Sequence, residues 1–458
     1  MASRLPQIVG LFIAVIFLFP GLLKFKKGLY LLIFLIPFQG ISIKGIGISG
    51  FWVIGYFVGY CYAKLRSDEG IWKNVHYSKY ILLIIISLII SLFVFTIKRD
   101  YSDLTLDYGV SSLIMPLMRY MLNITAGIML YIIISNEVKT YKEILNCIWV
   151  FVLSIFYVFV TWIGSFVFNF NLPYFLQTKY AGRGSNYNYI MRFAGYVGEY
   201  GLQSEYFMFI IAFSVLLILS SQKKLERKLV PFIAILISIP MAISTGTRAF
   251  LIVIFLFAVI FVSLISFKKS IRLGKRLLFI SSIFIVFAFL QNQMRGSFLL
   301  ERATESVEIG QSMQYVNDID RLLNRPYIEE FNNIIETGGL FGVGPLNIIG
   351  VKGNIMCWHS LYYDILIKFG ILGFLIYIFF YLRLLSDLYK NIRLKGALQS
   401  IIPIVLFSLF LPLLIGEYAR SYQNQTSFML MYWFLFSIVA CVNKMKPDLV
   451  LKNKNYQT

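Results

Sequence analysis

From Tyr80 to Ile97 the chain runs without a charged residue, and a helix drawn through this stretch is apolar on every face. A run of that length and character matches the roughly 20 residues that cross the hydrocarbon core of a bilayer. Comparable runs recur at about 6–23, 28–40, 51–63, 79–97, 111–135, 143–167, 201–220, 229–244, 249–267, 277–291, 360–382, 398–415 and 427–442. Lipid offers backbone groups no outside partner, so helices are the expected solution; a closed barrel would show short alternating segments instead. With 59% hydrophobic and 14% charged residues, the composition lies well outside the soluble globular range. The expectation is an all-α polytopic membrane protein of about thirteen spans, twelve to fourteen being compatible with the pattern. Residues 1–458 then form a single transmembrane domain whose soluble parts are loops. The two runs around residue 40 are short, and are read as tilted, interfacial or extended into their loops. Leu5–Leu23 lacks a basic leader and a small-residue cleavage site, and reads as a retained first helix.

The formal charge of +20 would point to nucleic acid in a soluble protein. Here the basic residues collect in short loops, as the positive-inside rule describes, and nucleic-acid binding is not expected. The segments are Lys24/Lys26/Lys27, Lys64/Arg66, Lys223/Lys224/Arg227/Lys228, Lys268/Lys269/Arg272/Lys275/Arg276, Arg383/Lys390/Arg393/Lys395 and Lys444/Lys446/Lys452/Lys454. Under the span assignment all fall on one face, which is therefore cytoplasmic, with the C-terminus inside. Segments at about 98–110, 168–200, 292–359 and 416–426 face outward. The 168–200 loop carries Tyr180, Tyr187, Tyr189, Tyr196 and Tyr200 beside Lys179, Arg183 and Arg192. The 292–359 loop is the largest polar piece and has a helix-like stretch at Pro326–Glu336, ended by Gly338–Gly339. Four scattered cysteines (Cys61, Cys147, Cys357, Cys441) indicate neither a metal site nor a disulfide framework. There is no internal repeat of the kind many secondary transporters use.

Outward arginines break the positive-inside pattern and need another reason. Arg248, in Ser244-Thr245-Gly246-Thr247-Arg248, sits on a tight turn at the outer boundary. It either snorkels to the headgroups or clamps an anion, its planar fork matching a phosphate with paired hydrogen bonds. Arg192 and Glu199 precede an inward helix, and seven residues apart they share a face if that stretch is helical. The plainer reading is an interfacial salt bridge of little energetic weight. His359 lies at the outer mouth of a helix, and histidine suits general-base work near neutral pH. The plainer reading is an interfacial histidine with a backbone partner. Arg295, Arg302, Arg321, Arg325 and Arg420 complete the outward set, several with acidic neighbours that would neutralise them. Arg119 stands inside an apolar span, where a charge is expensive and reads as functional by default. No Gly-rich phosphate loop, Asp-rich metal motif or nucleotide-binding pattern appears on the cytoplasmic side, which argues against an energy-coupled pump or a cytosolic nucleotide-sugar transferase.

Taken in order, these pieces resemble the O-antigen polymerase and O-antigen ligase superfamily of bacterial envelope glycosyltransferases. Arg192-Phe-Ala-Gly195-Tyr-Val-Gly-Glu199 looks like the family's Arg-x-x-Gly segment, and Ser244-Thr-Gly-Thr-Arg248 like its Ser-x-(Ser/Thr)-Arg turn. Arg325, Phe341-Gly342-Val343-Gly344-Pro345, His359-Ser360-Leu-Tyr362 and Phe369-Gly370-Ile-Leu-Gly373 look like its large loop and following helix. Ser360 and Tyr200 stand where the family often has Asn and Pro. The resemblance is carried by residues 180–380. It implies a helical bundle like the class C glycosyltransferases, with the loops at 168–200 and 292–359 capping the site. It implies metal-independent, inverting glycosyl transfer from an undecaprenyl-diphosphate-linked oligosaccharide at the outer face of the bacterial cytoplasmic membrane, with no cofactor. Arg192, Arg248 and Arg325 would hold the diphosphate, His359 would take the proton of the attacking hydroxyl, and Glu199 would join it; Arg119, Tyr362 and Arg420 are additional candidates. A chain-length-determining co-polymerase is implied by the resemblance alone. The polymerase reading, in which the growing glycan moves onto a lipid-linked repeat unit, is preferred. The ligase reading, with lipid A–core as acceptor, stays open, and so does a lipid-linked oligosaccharide flippase from another class.

Overall fold

A computed structural model of the chain describes residues 15–21, 26–37, 42–43, 46–98, 102–167, 179–183, 190–195, 200–220, 226–244, 248–267, 339–342, 344, 361–394, 400–416 and 426–445. The architecture is helical. Residues 15–21 are helical, and they are followed by α1 (Lys26–Leu35), α2 (Ile48–Arg66), α3 (Ser78–Lys98), α4 (Ser102–Glu137) and α5 (Tyr141–Val167). Then come α6 (Tyr200–Ser220), α7 (Glu226–Ser244), α8 (Arg248–Phe267), α9 (Leu361–Leu394), α10 (Ile401–Gly416) and α11 (Thr426–Lys444). Three stretches, Tyr141–Ile163, Gln203–Ser220 and Asp364–Arg393, are long and apolar enough to cross a membrane, among the described residues. The expected span at 277–291 and the helix-like stretch at 326–336 lie outside the described residues.

Two antiparallel hairpins depart from the all-helical expectation. A short one pairs β1 (Ser42–Ile43) with β2 (Ile46–Gly47), and a longer one pairs β3 (Lys179–Arg183) with β4 (Ile190–Gly195). The signal for the second was present: turn formers cluster in Gly182-Arg183-Gly184-Ser185-Asn186. Outside the helices the backbone still needs partners, and cross-strand pairing supplies them.

Burial follows the distribution of apolar surface. Phe428 to Val442 of α11 is buried throughout, and this helix lies against α4, α9, α2, α5, α6 and α10. A helix that is apolar all round belongs in the middle of a bundle. Peripheral α3 behaves differently. Ile81, Ile84 and Leu88 are buried, while Leu82, Ile86, Ile89 and Phe93 form an exposed stripe at helical spacing. Leu372, Leu375, Phe379 and Leu382 expose another such stripe on α9. Patches of this kind are a liability in water and an ordinary surface in lipid.

Close approaches set the packing. Gly127 lets α4 meet α11, since a β-carbon there would run into the Trp433 ring. Aromatic contacts fill the centre, with Phe151 stacked on Phe434 at 5.2 Å and Phe380 on Trp433 at 6.3 Å. Pro231 and Pro240 lie within α7 and Pro412 within α10, a substitution that helices in lipid tolerate because neighbours satisfy the freed carbonyls.

One end of the bundle is polar and tied down. A capping box opens α5: the Glu143 N–H donates to Thr140 Oγ1 at 3.2 Å, and Glu143 Oε2 accepts from the Thr140 N–H at 3.1 Å. Lys26, at the start of α1, pairs with the same carboxylate. The loop after α2 is fastened to this end by Tyr131 Oη donating to the His76 carbonyl at 2.7 Å and Asn136 Nδ2 to the Ile71 carbonyl at 2.8 Å. Tyr77, in a left-handed conformation at φ 58, donates its hydroxyl to Asp387 at 2.8 Å and accepts from Asn443 at 3.0 Å. Lys64 pairs with Glu69, and Lys444 caps the Asn74 carbonyl at 2.9 Å. Thus Lys26, Lys64, Arg383 (3.0 Å from Asp387) and Lys444 gather at the same end.

Candidate functional site

At the opposite end, contacts between helix termini define a common mouth. Glu205, in the second turn of α6, accepts from Tyr432 Oη of α11 at 3.0 Å. Tyr362, second residue of α9, donates its hydroxyl to the Leu414 carbonyl of α10 at 2.5 Å. Val253 of α8 lies beside Gly416, the last residue of α10. Strand β4 packs on α6 and α7. The starts of α6, α8, α9 and α11 and the end of α10 therefore lie together.

Of the candidate residues, Arg192, Arg248 and Tyr362 fall on these described elements. Arg192 is in β4, opposite Ala181 of β3. Because 190–195 is a strand, the shared helical face suggested for Arg192 and Glu199 does not exist. Arg248 is the first residue of α8. Tyr362 is placed as described, joining two helix ends. Glu199, Arg325, His359 and Arg420 lie outside the described residues. In sequence, Glu199 immediately precedes α6, His359 stands two residues before α9, and Arg420 follows α10 by four residues. Arg119 is in the interior of α4, away from the helix ends.

Two segments singled out separately in the sequence meet directly. Helix α9 is interrupted at Gly370, with φ 68 and ψ −174. This combination is essentially restricted to glycine. The break leaves the first amides of the C-terminal half without helical acceptors. The turn at 339–342 supplies them: the Ile371 N–H donates to the Gly339 carbonyl at 3.4 Å, and the Leu372 N–H to the Leu340 carbonyl at 3.2 Å. Gly342, at φ 81, lets the turn approach, since a β-carbon there would lie 2.5 Å from the Lys368 carbonyl carbon. Leu340 and Phe341 are exposed apolar side chains on this turn. The 339–342 turn thus seats against the break of α9, its Gly339 and Leu340 carbonyls taking the amides that the break frees.

Beside the break is a charge pair that the sequence reading overlooked. Lys368 Nζ lies 2.7 Å from Asp364 Oδ1, with the two side chains 1% and 4% exposed. The ammonium sits 4.0 Å from the centre of the Tyr120 ring, a cation–π contact to α4. The Lys368 carbonyl accepts from Ser91 Oγ of α3. The signal was an Asp and a Lys at i and i+4 inside an apolar run. Glu205 is the second residue missed, a buried carboxylate in an apolar span. Next to it, Gln203 buries its Oε1 without a hydrogen-bond partner among the described residues. No cluster of three or more His, Cys, Asp or Glu side chains suited to a metal occurs among the described residues.

No protein-family model matches the chain. No curated protein matches it either.

Proposed function

We propose that the chain is a polysaccharide (O-antigen) polymerase of the bacterial cytoplasmic membrane, with about thirteen spans and its site facing the periplasm. The observation that carries this reading is the seating of the Gly339–Gly342 turn in the break of α9 at Gly370. It joins the Phe341–Pro345 and Phe369–Gly373 segments, two parts of the sequence resemblance, at the helix that His359 precedes. The gathering of the termini that Glu199, His359 and Arg420 adjoin in sequence, with Arg248 first in α8, adds support.

In this reading the acceptor hydroxyl oxygen attacks the anomeric carbon of the lipid-linked glycan. The bond from that carbon to the diphosphate oxygen breaks, and its electron pair leaves with the lipid diphosphate. Arg248 and Arg192, with Arg325, stabilise the charge developing on the diphosphate, where aimed donors count most. His359 accepts the hydroxyl proton, or orients the hydroxyl for attack, and Glu199 is assigned to the same step.

The test is to incubate the purified protein with synthetic undecaprenyl-diphosphate repeat units, without metal or nucleotide. A ladder of longer glycans that disappears in Arg248→Ala and His359→Ala is expected. Loss on the order of 100-fold or more is the scale for removing an aimed transition-state donor. Transfer only after lipid A–core is added would make the protein a ligase. No transfer to either acceptor would put the flippase ahead.

A further inference from the structure

The Asp364–Lys368 pair takes no part in the transfer just described, yet it is an expensive feature to build. Removing two charges from water costs more than their attraction returns unless the geometry is good, and an apolar pair of similar volume commonly serves stability as well or better. What such a pair can supply is a single arrangement of the helices around it.

Three ties converge on it. Asp364 holds the Lys368 ammonium at 2.7 Å within one turn of α9. The same ammonium engages the Tyr120 ring of α4 at 4.0 Å. Through its carbonyl, Lys368 accepts from Ser91 of α3. Two residues further on, the chain breaks at Gly370 and receives the 339–342 turn. A short half-helix, Leu361–Phe369, cut off from the C-terminal half of α9, needs outside contacts to set its rotation. The pair and its partners provide them. An open binding break, as in carriers with discontinuous helices, would present free amides to a ligand; here the Ile371 and Leu372 amides are taken by the turn.

Resting on the glycosyl-transfer reading, we propose that Asp364 and Lys368 are positioning residues. They lock the outer half of α9 against α3 and α4 with the Gly339–Gly342 turn seated in its break, and so place the helix mouth at which His359 acts. Misplacing a reacting group by about 1 Å costs on the order of 100-fold in rate. Loosening the pair therefore lowers kcat and spares the KM for the lipid-linked glycan.

The experiment uses the full chain in lipid nanodiscs. Asp364→Asn removes one charge, and Asp364→Leu/Lys368→Met removes both. The double variant is decisive, because a single substitution strands a buried charge and endangers folding. Two readouts are taken: hydrogen exchange of peptides covering 336–342 and 366–374, and kcat and KM on synthetic undecaprenyl-diphosphate repeat units. The double variant is expected to retain its helical circular dichroism, to exchange at Ile371 and Leu372 at least about tenfold faster, and to lose at least about tenfold in kcat with KM within about twofold. Wild-type exchange in the double variant, or wild-type kcat, overturns the proposal. Exchange needs no substrate, so the two readings fail separately. Faster exchange in a protein that makes no ladder sinks the transfer reading alone, and an unchanged double variant of an active polymerase sinks the positioning role alone.

Discussion

Replacing Gly370 by alanine puts a β-carbon 2.5 Å from the Leu340 carbonyl carbon, at a residue whose φ is 68 and ψ −174. Neither problem is relieved by moving a side chain, because the opposing atoms are backbone. Holding a non-glycine residue in that region costs about 1–3 kcal/mol. If the turn at 339–342 is also expelled, the hydrogen bonds from Ile371 and Leu372 are lost, at about 0.5–1.5 kcal/mol each. When both occur, the expected destabilisation is about 2–6 kcal/mol, above the usual range for a point substitution. Gly342→Ala attacks the same joint, its β-carbon falling 2.6 Å from the Gly370 amide nitrogen. The double variant should therefore be less destabilised than the singles predict, with a coupling of at least about 1 kcal/mol. Gly70→Ala is the control: its nearest neighbour is Lys73 Cβ at 3.9 Å, so a change within about 0.5 kcal/mol is expected. Reversible unfolding in mixed micelles, followed by tryptophan fluorescence, measures all four. A Gly370→Ala protein within about 1 kcal/mol of wild type would refute the docked-turn account.

Gly127→Ala should cost about 1–3 kcal/mol by overpacking against the Trp433 ring. Trp433→Phe in the same background should recover part of that loss, measured by the same unfolding; strictly additive effects would contradict the close contact. Burial holds the His76 imidazole below its ordinary value of 6.5, with Lys444 and Arg383 reinforcing it against the pull of Asp387. The folded chain therefore binds this proton less tightly than the unfolded one. Stability from the docked 67–77 loop is full above about pH 6.5 and declines as pH falls through the folded value. Melting temperatures between about pH 8 and 5 should fall more steeply for wild type than for His76→Gln, and parallel curves would exclude the effect.

Helix positions were legible because hydrophobicity is a local property. The runs at 143–167, 201–220 and 427–442 reappear as α5, α6 and α11 with ends shifted by a residue or two. Helix α4 starts well before its apolar run, at Ser102 rather than 111; the added residues include Asp103 and Asp107, which hydrophobicity alone assigns to a loop. Strand β4 was not anticipated, because a strand is completed by a partner outside its own segment, here Lys179–Arg183, and the turn formers between them were not weighed as a hairpin signal. Residue type and sidedness marked Arg192 and Arg248, and the structure places their backbones on a hairpin and a helix start.

Sequence by itself determined that this chain is helical and apolar enough for lipid, since each helix satisfies its own backbone and each residue's transfer energy is its own. Only tertiary structure decided that Gly342 faces Gly370, that Lys368 lies over Tyr120, and that Tyr432 reaches Glu205 across 227 positions. Such pairs depend on which helices become neighbours, a choice made by the packing of the whole bundle and written in no local pattern.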